Sequence, residues 1–342
     1  MIAPSLGDIY QAALKTINSD SKGAADICAY FFRKAFSLLR DGGASGLIAT
    51  NTIAQADTRE VGLDWIAGND GFIFRAISNL QWPGEAAVNV SVVHISRALR
   101  RTAYLNGKET KKFINTQLLE GDSPIAPAPK RLALTYPRAS GGTGVLGIGF
   151  VISPELYGEW LREDEKYAEI IQPYANGSDV VSLIDDSPTS YVINFGERTE
   201  KEASEYPLAF ARVREMVKPI RDRITRQIHE VCYWKHWDKR PSLYKELKGL
   251  HRVLVCPFVS KHLPFKFLPS TWIYSKEVVV IPTDRSSDFA ILQSSAHAIW
   301  ARRYSGTLEL RLSYSISDAL RTFPVASKAG KELSSVADAY LS

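Results

Sequence analysis

The sequence predicts an α/β fold class, with the second half of a doubly wound sheet followed by an α+β domain. Three observations lead to this expectation. A helix signal and three strand-like runs lie between residues 25 and 95, a proline-rich stretch then breaks the pattern, and strand-like runs alternate with apolar helical stripes beyond residue 130. Elements that alternate in this way are typical of helices packed on sheets.

The segment from Ala25 to Ile95 holds the predicted sheet. Asp26 is expected to cap its helix, because a carboxylate accepts from the free backbone N–H groups of a first turn. The helix is expected to end at Gly42-Gly43, because glycine adopts positive φ at little cost. The apolar run Gly46–Thr50 predicts a buried parallel strand. Two further strands are expected, at Phe72–Ile77 and Val88–Ile95.

Prolines mark the predicted boundary between the domains. Pro124, Pro127 and Pro129 lie close together, and proline disfavours regular elements and stiffens linkers. The expected organisation is an N-terminal remnant (1–23), the half sheet (24–110), a linker (111–130), the second domain (131–325) and a tail (326–342).

The second domain is expected to contain both helices and strands. Glu155–Ile171 has an amphipathic pattern, and apolar positions from Val213 to Val231 recur every three or four residues, which predicts a helix that Pro219 kinks or restarts. The other predicted elements are strands at Tyr191–Phe195, Arg252–Val259, Pro264–Leu268 and Glu277–Ile281, and a helix through Trp300 that Ser287 and Asp288 would cap.

The string from Gly142 to Gly147 matches the glycine spacing of a dinucleotide-binding loop. Such a loop needs a strand before it and a helix directly after it. Here the next residues, Val145–Ile152, are strand-like. A glycine-loosened hairpin or bulge is therefore expected instead.

Positive charge is concentrated in one window of the chain. The net charge is +5 over 342 residues, whereas residues 207–266 hold 14 Lys+Arg against 5 Asp+Glu, a net of +9, so the remainder nets −4. A local excess of this kind predicts a polyanion-binding face. Apolar residues make up 45% and charged residues 23%, which indicates a globular chain rather than a disordered one.

The cysteines and the apolar runs exclude several classes of protein. Cys28, Cys232 and Cys256 are far apart and no C-x-x-C occurs, so neither a zinc site nor a disulfide framework is expected. No apolar run approaches the roughly 20 residues of a membrane helix, and no basic region followed by an apolar core opens the chain. We therefore expect a cytoplasmic protein without a membrane partner.

Four strings carry a family resemblance. Asp26–Gly43 and Gly46–Gln55 resemble the later motifs of an amino-group DNA methyltransferase, and Trp82–Ile95 strengthens the likeness. With Tyr314–Pro324 near the far end, nearly the whole chain resembles the MmeI-like restriction–modification enzymes. Those enzymes fuse an adenine-N6 methyltransferase, a target recognition domain and, usually, a nuclease. The resemblance thus implies sequence-specific recognition of double-stranded DNA.

The resemblance also indicates which chemistry is missing. Adenine methylation there needs a pocket for S-adenosylmethionine and an Asn-Pro-Pro-Tyr or Asn-Pro-Pro-Phe clamp for the extruded base, and no Asn-Pro-Pro occurs in this chain. We therefore expect S-adenosylmethionine to serve the complete enzyme, this chain alone to bind none, and no catalytic residue or metal ligand to be assignable. By resemblance, Asn51, Trp82 and Glu85 wall the base pocket, although a large aromatic such as Trp82 more often serves packing.

Two segments are expected to contact DNA. The first is the helix around Pro219, whose cations lie between its apolar positions. The alternative to DNA contact is that these cations form an ordinary solvent-exposed helix face. The second follows the strand Val253–Val259. A turn supported by a rigid strand holds its side chains in a fixed direction, which suits contact with bases. Lys266 is expected to face away from the core that Phe265 and Phe267 enter, and phosphate contact or ordinary surface is the alternative to base readout. The candidates are Arg212, Arg214, Arg221, Arg223, Arg226, Arg252, Ser260, Lys261, His262 and Lys266.

Some alternatives stay open at the level of sequence. Tyr233 to Arg240 mixes aromatics with bases, which could stack on nucleotides; packing is favoured, because duplex DNA hides its base faces. For the chain as a whole, one alternative is a standalone specificity subunit that needs another polypeptide, the missing N-terminal methyltransferase and nuclease part, for cofactor and clamp. The other is an unrelated metabolic α/β enzyme with a basic surface.

Overall fold

The computed structural model describes residues 6–18, 25–98, 102–132, 136, 138–183, 187–224, 232–324 and 331–341. It divides into two compact units. Unit 1 comprises Met1–Lys130 and Ala301–Ala319, and unit 2 comprises Arg131–Trp300 and Leu320–Ser342. Both units combine helices with β-sheets, so the mixed α/β class is confirmed. Unit 1 thus includes Ala301–Ala319, a segment far along the chain from the rest of that unit.

Unit 1 is built on one sheet. Its strands are β1 (Ala44–Thr50), β2 (Phe72–Gln81), β3 (Asn89–Ser96), β4 (Ala103–Leu105), β5 (Lys108–Thr110), β6 (Phe113–Ile114) and β7 (Glu120–Gly121). The order is β1-β3-β2-β4-β5, with β6 beside β2 and β7 beside β6. β3 is antiparallel to both of its neighbours, so β1 and β2 run in the same direction. The predicted linker therefore contributes two short strands to this sheet.

Helices cover one face of the sheet. They are α1 (Asp8–Ile17), α2 (Ile27–Ser37), α3 (Ala56–Arg59) and α4 (Trp65–Gly68), with a π-helical turn at Glu60–Asp64 and a 3-10 turn at Asn51–Ala54. Asp26 accepts from the Ile27 N–H at 2.8 Å, which confirms the predicted cap. α2 ends at Ser37, earlier than predicted, and Gly42 supplies a φ of 69° in the turn that leads to β1. The core between helices and sheet contains Ala29, Phe36 and Val93.

The prediction that Gly46–Thr50 forms a buried parallel strand is wrong. Among the strands that the structure describes, β1 pairs with β3 alone, in antiparallel register. Ile48 is 60% exposed, whereas Ala49 on the opposite face is buried in the core. An apolar run indicates that at least one face of a strand is buried. It does not show how many other strands pair with it or in which direction they run.

Two antiparallel hairpins belong to unit 1. β4 and β5 are joined by Asn106 and Gly107, both with positive φ, as the Asn-Gly signal predicted. The second hairpin lies far along the chain, in the segment Ala301–Ala319. It pairs β17 (Gly306–Leu308) with β18 (Arg311–Ser313).

Unit 2 contains two four-stranded sheets. Their strands are β8 (Ser140–Gly141), β9 (Val151–Ile152), β10 (Ile171–Ala175), β11 (Ser190–Ile193), β12 (Arg252–Pro257), β14 (Lys266–Pro269), β15 (Ile273–Tyr274) and β16 (Val278–Ile281); β13 (Val259–Ser260) follows β12. One sheet has the order β15-β10-β11-β9 and the other the order β14-β12-β16-β8. β12 and β16 are buried almost throughout, which agrees with their continuous apolar sequences.

The helices of unit 2 correct two predicted boundaries. They are α5 (Pro154–Glu163), α6 (Gly177–Ser182), α7 (Glu200–Ser204), α8 (Pro207–Met216), α9 (Lys218–Arg221), α10 (Pro241–Leu247), α11 (Ser286–Leu292), α12 (Ser295–Tyr304, which ends in unit 1) and α13 (Lys331–Leu341). The helix predicted to reach Ile171 ends at Glu163, and Ile171 opens β10. Ser287 and Asp288 lie buried inside α11 rather than capping it, because Asp288 binds Tyr136 and Thr283.

The glycine string from Gly142 to Gly147 leads into no helix. Gly144 bridges to Asp238, and a single 3-10 turn follows at Ile148–Phe150. A Cβ on Gly142 would lie 2.3 Å from the Tyr274 carbonyl oxygen, so only glycine fits this close backbone approach. The string therefore lacks the helix that would directly follow a dinucleotide-binding loop.

Candidate nucleic-acid interface

The segment around Pro219 is two short helices rather than one long one. Pro207 and Pro219 each stand in a first turn, where a missing N–H costs nothing, so α8 ends at Met216 and α9 begins at Lys218. The predicted restart at Pro219 is confirmed. Val213 and Val217 are fully buried in the core cluster of unit 2. That packing directs some of the neighbouring cations outward and others inward.

Arg221 points inward. It is 1% exposed, and its guanidinium donates to the carbonyl oxygens of Leu146 at 3.3 Å, Cys232 at 3.0 Å and Val145 at 2.9 Å. Burial lowers the pKa of Arg221 to about 10, so the cation persists at neutral pH. The interpretation of Arg221 as a phosphate contact is therefore wrong. The helical pattern of apolar residues could not show that this arginine turns inward and donates to backbone carbonyl oxygens.

Arg212 is also engaged by the backbone. Its Nε donates to Gly149 at 3.1 Å and one Nη to Val151 at 3.2 Å. Both acceptors are carbonyl oxygens beside β9, so Arg212 fastens α8 to the sheet. The exposed arginines of this segment are Arg214 and Arg223. Arg226 lies outside the described residues.

The second predicted segment follows β12. Ser260 is buried, and its hydroxyl accepts from the Leu263 N–H at 3.1 Å, which closes a tight turn where Leu263 has a φ of 48°. Lys261 and His262 are exposed at this turn. Ser260 thus supports the turn, while the two residues after it face solvent.

Arg252 and Lys266 are engaged within the protein. Arg252 donates to the carbonyl oxygen of Asp284 and to the Ser286 hydroxyl, and its guanidinium lies 4.0 Å from the centre of the Phe267 ring. The Lys266 ammonium donates to the Leu183 carbonyl oxygen. Phe265 and Phe267 are buried as the alternation predicted. The Lys266 side chain nevertheless lies half-buried against the neighbouring loop.

The aromatic string after residue 232 serves mainly packing, as expected. Tyr233 and Trp234 are buried in the core cluster, and the Trp234 indole N–H donates to the Arg198 carbonyl oxygen at 3.1 Å. His236 is buried, with its Nε2 2.8 Å from the Ile193 carbonyl oxygen. Trp237 is 43% exposed.

The predicted base-pocket residues lie in unit 1. Asn51 directly follows β1, and its amide lies between two partners: it accepts from the Thr307 hydroxyl at 3.2 Å and donates to the Asn79 side chain at 3.3 Å. Trp82 is 41% exposed and Glu85 is exposed, both in the loop between β2 and β3. The Trp82 indole lies against Gly84 within that loop.

Sequence reasoning missed Thr307 and Gln55. The Gln55 side-chain oxygen accepts from the Thr307 N–H at 2.9 Å and from its hydroxyl at 3.1 Å, so the β17–β18 hairpin is fastened to the end of β1. Ala56 beside it has a φ of 42°, which is unusual for a residue other than glycine. No local pattern signals this contact, since its partners are 252 positions apart.

Two negative findings complete the description. Within the described ranges, no three His, Cys, Asp or Glu side chains come together as a metal site would require. The same ranges contain no helix that is long and apolar enough to cross a membrane.

Unit 2 presents exposed cations at Arg214 in α8, at Arg223 after α9 and at Lys261 in the turn before β14. A model of the MmeI target recognition domain family matches residues 125–327, and the chain belongs to that family. The match covers nearly all of unit 2 and the β17–β18 hairpin of unit 1.

One solved structure shares the fold of this chain. The type IIL restriction–modification enzyme MmeI, determined in complex with DNA, aligns with a TM-score of 0.80 at 18% identity, over 98% of this chain and 46% of that one. This chain thus spans slightly less than half of the MmeI chain. The type IIG restriction endonuclease BpuSI aligns at 12% identity over 94% of this chain and 44% of that one, with a TM-score of 0.36, too low to indicate a shared fold. No match was found among curated proteins.

Proposed function

We propose that this chain recognises a specific sequence of duplex DNA, as the recognition part of an adenine-N6 methyltransferase or restriction–modification enzyme. The observation that carries the proposal is membership of the MmeI target recognition domain family over residues 125–327. MmeI itself was solved in complex with DNA. Family membership also removes the alternative of an unrelated metabolic enzyme.

Recognition divides between two kinds of contact. Cations on the phosphate backbone supply affinity and orientation, whereas contacts to base edges supply sequence preference. Arg214 and Arg223 are exposed and suit phosphate contact. Lys261 and His262 project from the turn after β12, which is braced by Ser260, so they suit base edges.

The relation of unit 1 to a methyltransferase is part of the proposal. Two observations support it: β1 and β2 run in the same direction within one sheet, and Asn51 comes directly after the carboxyl end of β1. Ligands of α/β sheets bind outside the carboxyl ends of their strands. Asn51 is therefore proposed as one wall of a base pocket, with Trp82 and Glu85 in the loop after β2.

The residues present do not fit S-adenosylmethionine. The sequence contains no Asn-Pro-Pro clamp, and the turn after β1, Asn51–Ala54, is not the glycine turn of a cofactor pocket, because the proposal places β1 in the second half of the sheet. No catalytic step is therefore derived for this chain. In the proposal, another polypeptide segment, with the methyltransferase motifs and any nuclease, supplies cofactor pocket and clamp to the complete enzyme. A separate specificity subunit that meets this segment in trans is the second candidate, favoured by the same missing clamp.

A selection from duplex DNA of randomised sequence tests the proposal. The full chain is expected to enrich one motif over successive rounds, with binding that weakens steeply as salt rises. A chain with Arg214→Ala, Arg223→Ala and Lys261→Ala is the matched control, because the three changes remove exposed cations without touching the core. Binding without any enriched motif would contradict sequence recognition, and absence of binding at low salt would contradict DNA binding altogether.

A further inference from the structure

A cavity of about 550 Å³ lies within unit 2, between one sheet and α10. Its floor is the sheet face that bears Gln172 of β10, Asn194 directly after β11 and Ile273 of β15. Ile273 pairs with Tyr174, which lies on the same face of β10 as Gln172. Tyr244 of α10 contributes to the wall. The volume is typical of sites for small molecules, which span about 300–1,000 Å³.

Two side-chain amides are paired on this floor. The Asn194 Nδ2 donates to the Gln172 Oε1 at 2.9 Å, and the Asn194 Oδ1 accepts from the Gly196 N–H at 3.1 Å. In the part of the chain that the structure describes, no group accepts from the Gln172 Nε2. Because the other end of the Gln172 amide is held by Asn194, the cavity contains a hydrogen-bond donor in a fixed position.

A buried histidine supplies an acceptor to the same cavity. The His236 Nε2 lies 2.8 Å from the Ile193 carbonyl oxygen, so this nitrogen carries the proton and donates it. Burial lowers the pKa of His236 to about 4, so the ring is neutral at pH 7 and its Nδ1 is an acceptor. Among the described residues, none donates to this Nδ1. Ile193 directly precedes Asn194, so adjacent residues of the chain hold the acceptor and the Gln172 donor.

The Tyr244 ring forms a rigid apolar wall. Its hydroxyl bonds to the Thr143 hydroxyl at 2.8 Å and accepts from the Tyr274 N–H at 3.1 Å. Both contacts fix the far end of the ring, so its face is held beside the cavity with Leu247 of the same helix. A planar heterocycle can stack on such a face.

The charges of the lining have one sign. Lys239 and Lys248 are its charged residues, and the described lining contains no carboxylate. Lys239 pairs with the exposed Glu197 at 2.7 Å. Lys248 is exposed and has no ion pair within the described ranges. The cavity therefore suits a ligand that carries negative charge at one end.

We infer that this cavity binds a nucleotide whose base carries an amino group beside a ring nitrogen, as adenine and cytosine do. The ring nitrogen accepts from the Gln172 amide N–H, and the amino group donates to the His236 Nδ1. The base lies against Tyr244, and Lys248 holds the phosphate. A free nucleotide and a nucleotide extruded from DNA offer this same chemistry. Binding of the free nucleotide does not depend on recognition of a DNA sequence.

Calorimetry of the full chain with adenosine monophosphate tests the inference. Inosine monophosphate has a carbonyl in place of the amino group and is expected to bind at least about tenfold more weakly to the same wild-type chain. Gln172→Glu still accepts from Asn194 but has no N–H, and it should also weaken binding at least about tenfold. Lys248→Ala should weaken binding, whereas the control Lys245→Ala, an exposed lysine of α10 outside the lining, should not.

The result that supports the inference is saturable binding of adenosine monophosphate that inosine monophosphate and Gln172→Glu both weaken. Absence of binding up to about ten millimolar nucleotide would overturn it. Equal binding of inosine monophosphate and of ribose phosphate would overturn it too, because the cavity would then recognise only an anion.

Duplex DNA distinguishes the two sources of the nucleotide. A chain saturated with duplex that still binds adenosine monophosphate uses the free nucleotide. If duplex displaces adenosine monophosphate and Gln172→Glu also weakens duplex binding, the cavity takes a nucleotide extruded from DNA. A chain that binds adenosine monophosphate but no duplex would contradict the proposed function and leave the nucleotide site supported.

Discussion

Arg221 donates to the carbonyl oxygen of Val145 at 2.9 Å, although 76 positions separate the two residues. The same guanidinium reaches two further carbonyl oxygens and lies 5.4 Å from the centre of the Phe150 ring. A single buried cation thereby holds the loop before β9 against α9. Its contribution is to the stability of unit 2 rather than to phosphate binding.

Replacing Arg221 is therefore expected to destabilise the protein. Arg221→Met leaves three carbonyl oxygens without their donor, and each unpaired buried acceptor costs about 1–3 kcal/mol, so the loss should be at least about 3 kcal/mol. Urea unfolding followed by tryptophan fluorescence measures it. Arg214→Ala is the control, since this exposed arginine lies in the same segment and its loss should stay within about 0.5 kcal/mol. Equal stabilities of the two variants would contradict the structural role.

Acid should destabilise unit 2 through two buried histidines. Burial lowers the pKa of His236 and of His297 to about 4 from the ordinary 6.5. Between those values the unfolded state binds more protons than the folded state, so their contribution is complete above pH 6.5 and is lost as pH falls towards 4. Each should account for about 3 kcal/mol by the end of that window.

Unfolding at a series of pH values tests this expectation. His236→Gln keeps a donor for the Ile193 carbonyl oxygen but cannot titrate, so the variant should lose less stability on acidification than the wild type. His262→Gln, at an exposed position, is the control and should follow the wild type. A pH dependence that His236→Gln leaves unaltered would assign the acid sensitivity to other groups.

The salt dependence of DNA binding should report phosphate contacts one at a time. Each cation that neutralises a phosphate contributes about −0.9 to the slope of log affinity against log salt. Arg223→Ala and Arg214→Ala are expected to flatten the slope by about that amount each and to weaken binding to all sequences alike. Lys108→Ala, an exposed lysine on β5, is the control. Unchanged slopes would show that both arginines are merely solvated.

Local patterns predicted local structure well. The cap at Asp26, the hairpin at Asn106-Gly107 and the restart at Pro219 each depend on a few adjacent residues, and all three are present. The family membership was also visible in the sequence, because several long strings kept their order. These features share a dependence on neighbours in the chain.

Contacts between segments that are distant along the chain could not be predicted from the sequence. Nothing near Thr307 indicates that it binds Gln55 and Asn51, and this contact returns the hairpin to unit 1. The arginine of a basic stripe can equally face solvent, as Arg223 does, or cap buried carbonyl oxygens, as Arg221 does. The choice depends on which loop packs over the helix, and that loop is more than 70 residues away.

The isolated chain is expected neither to bind S-adenosylmethionine nor to transfer methyl groups. The reason is chemical, because a glycine turn and an Asn-Pro-Pro clamp are needed and the sequence contains no Asn-Pro-Pro. Calorimetry with the cofactor and a labelled-methyl assay on DNA of mixed sequence measure both properties. Binding of DNA by the same preparation is the control for folding. Saturable cofactor binding or clear incorporation of label would sink the idea.

Two lysines on neighbouring segments should separate base readout from structural support. Lys261 is exposed at the turn after β12, whereas the Lys266 ammonium donates to the Leu183 carbonyl oxygen. A lysine can donate to guanine O6 and N7 in the major groove, and one good base contact is worth about 1–3 kcal/mol of discrimination. Lys261→Ala is therefore expected to relax preference at one base position in a randomised-site selection.

Lys266→Ala serves as the matched comparison in that experiment. It removes the same charge, but its expected effect is a loss of stability of about 1 kcal/mol, because the Leu183 carbonyl oxygen loses its donor. The preferred DNA sequence should not change. If Lys261→Ala weakened binding to all sequences alike and left the preferred motif unchanged, Lys261 would be a phosphate contact rather than a base contact. A shifted motif with Lys266→Ala would instead show that Lys266 leaves Leu183 when DNA binds.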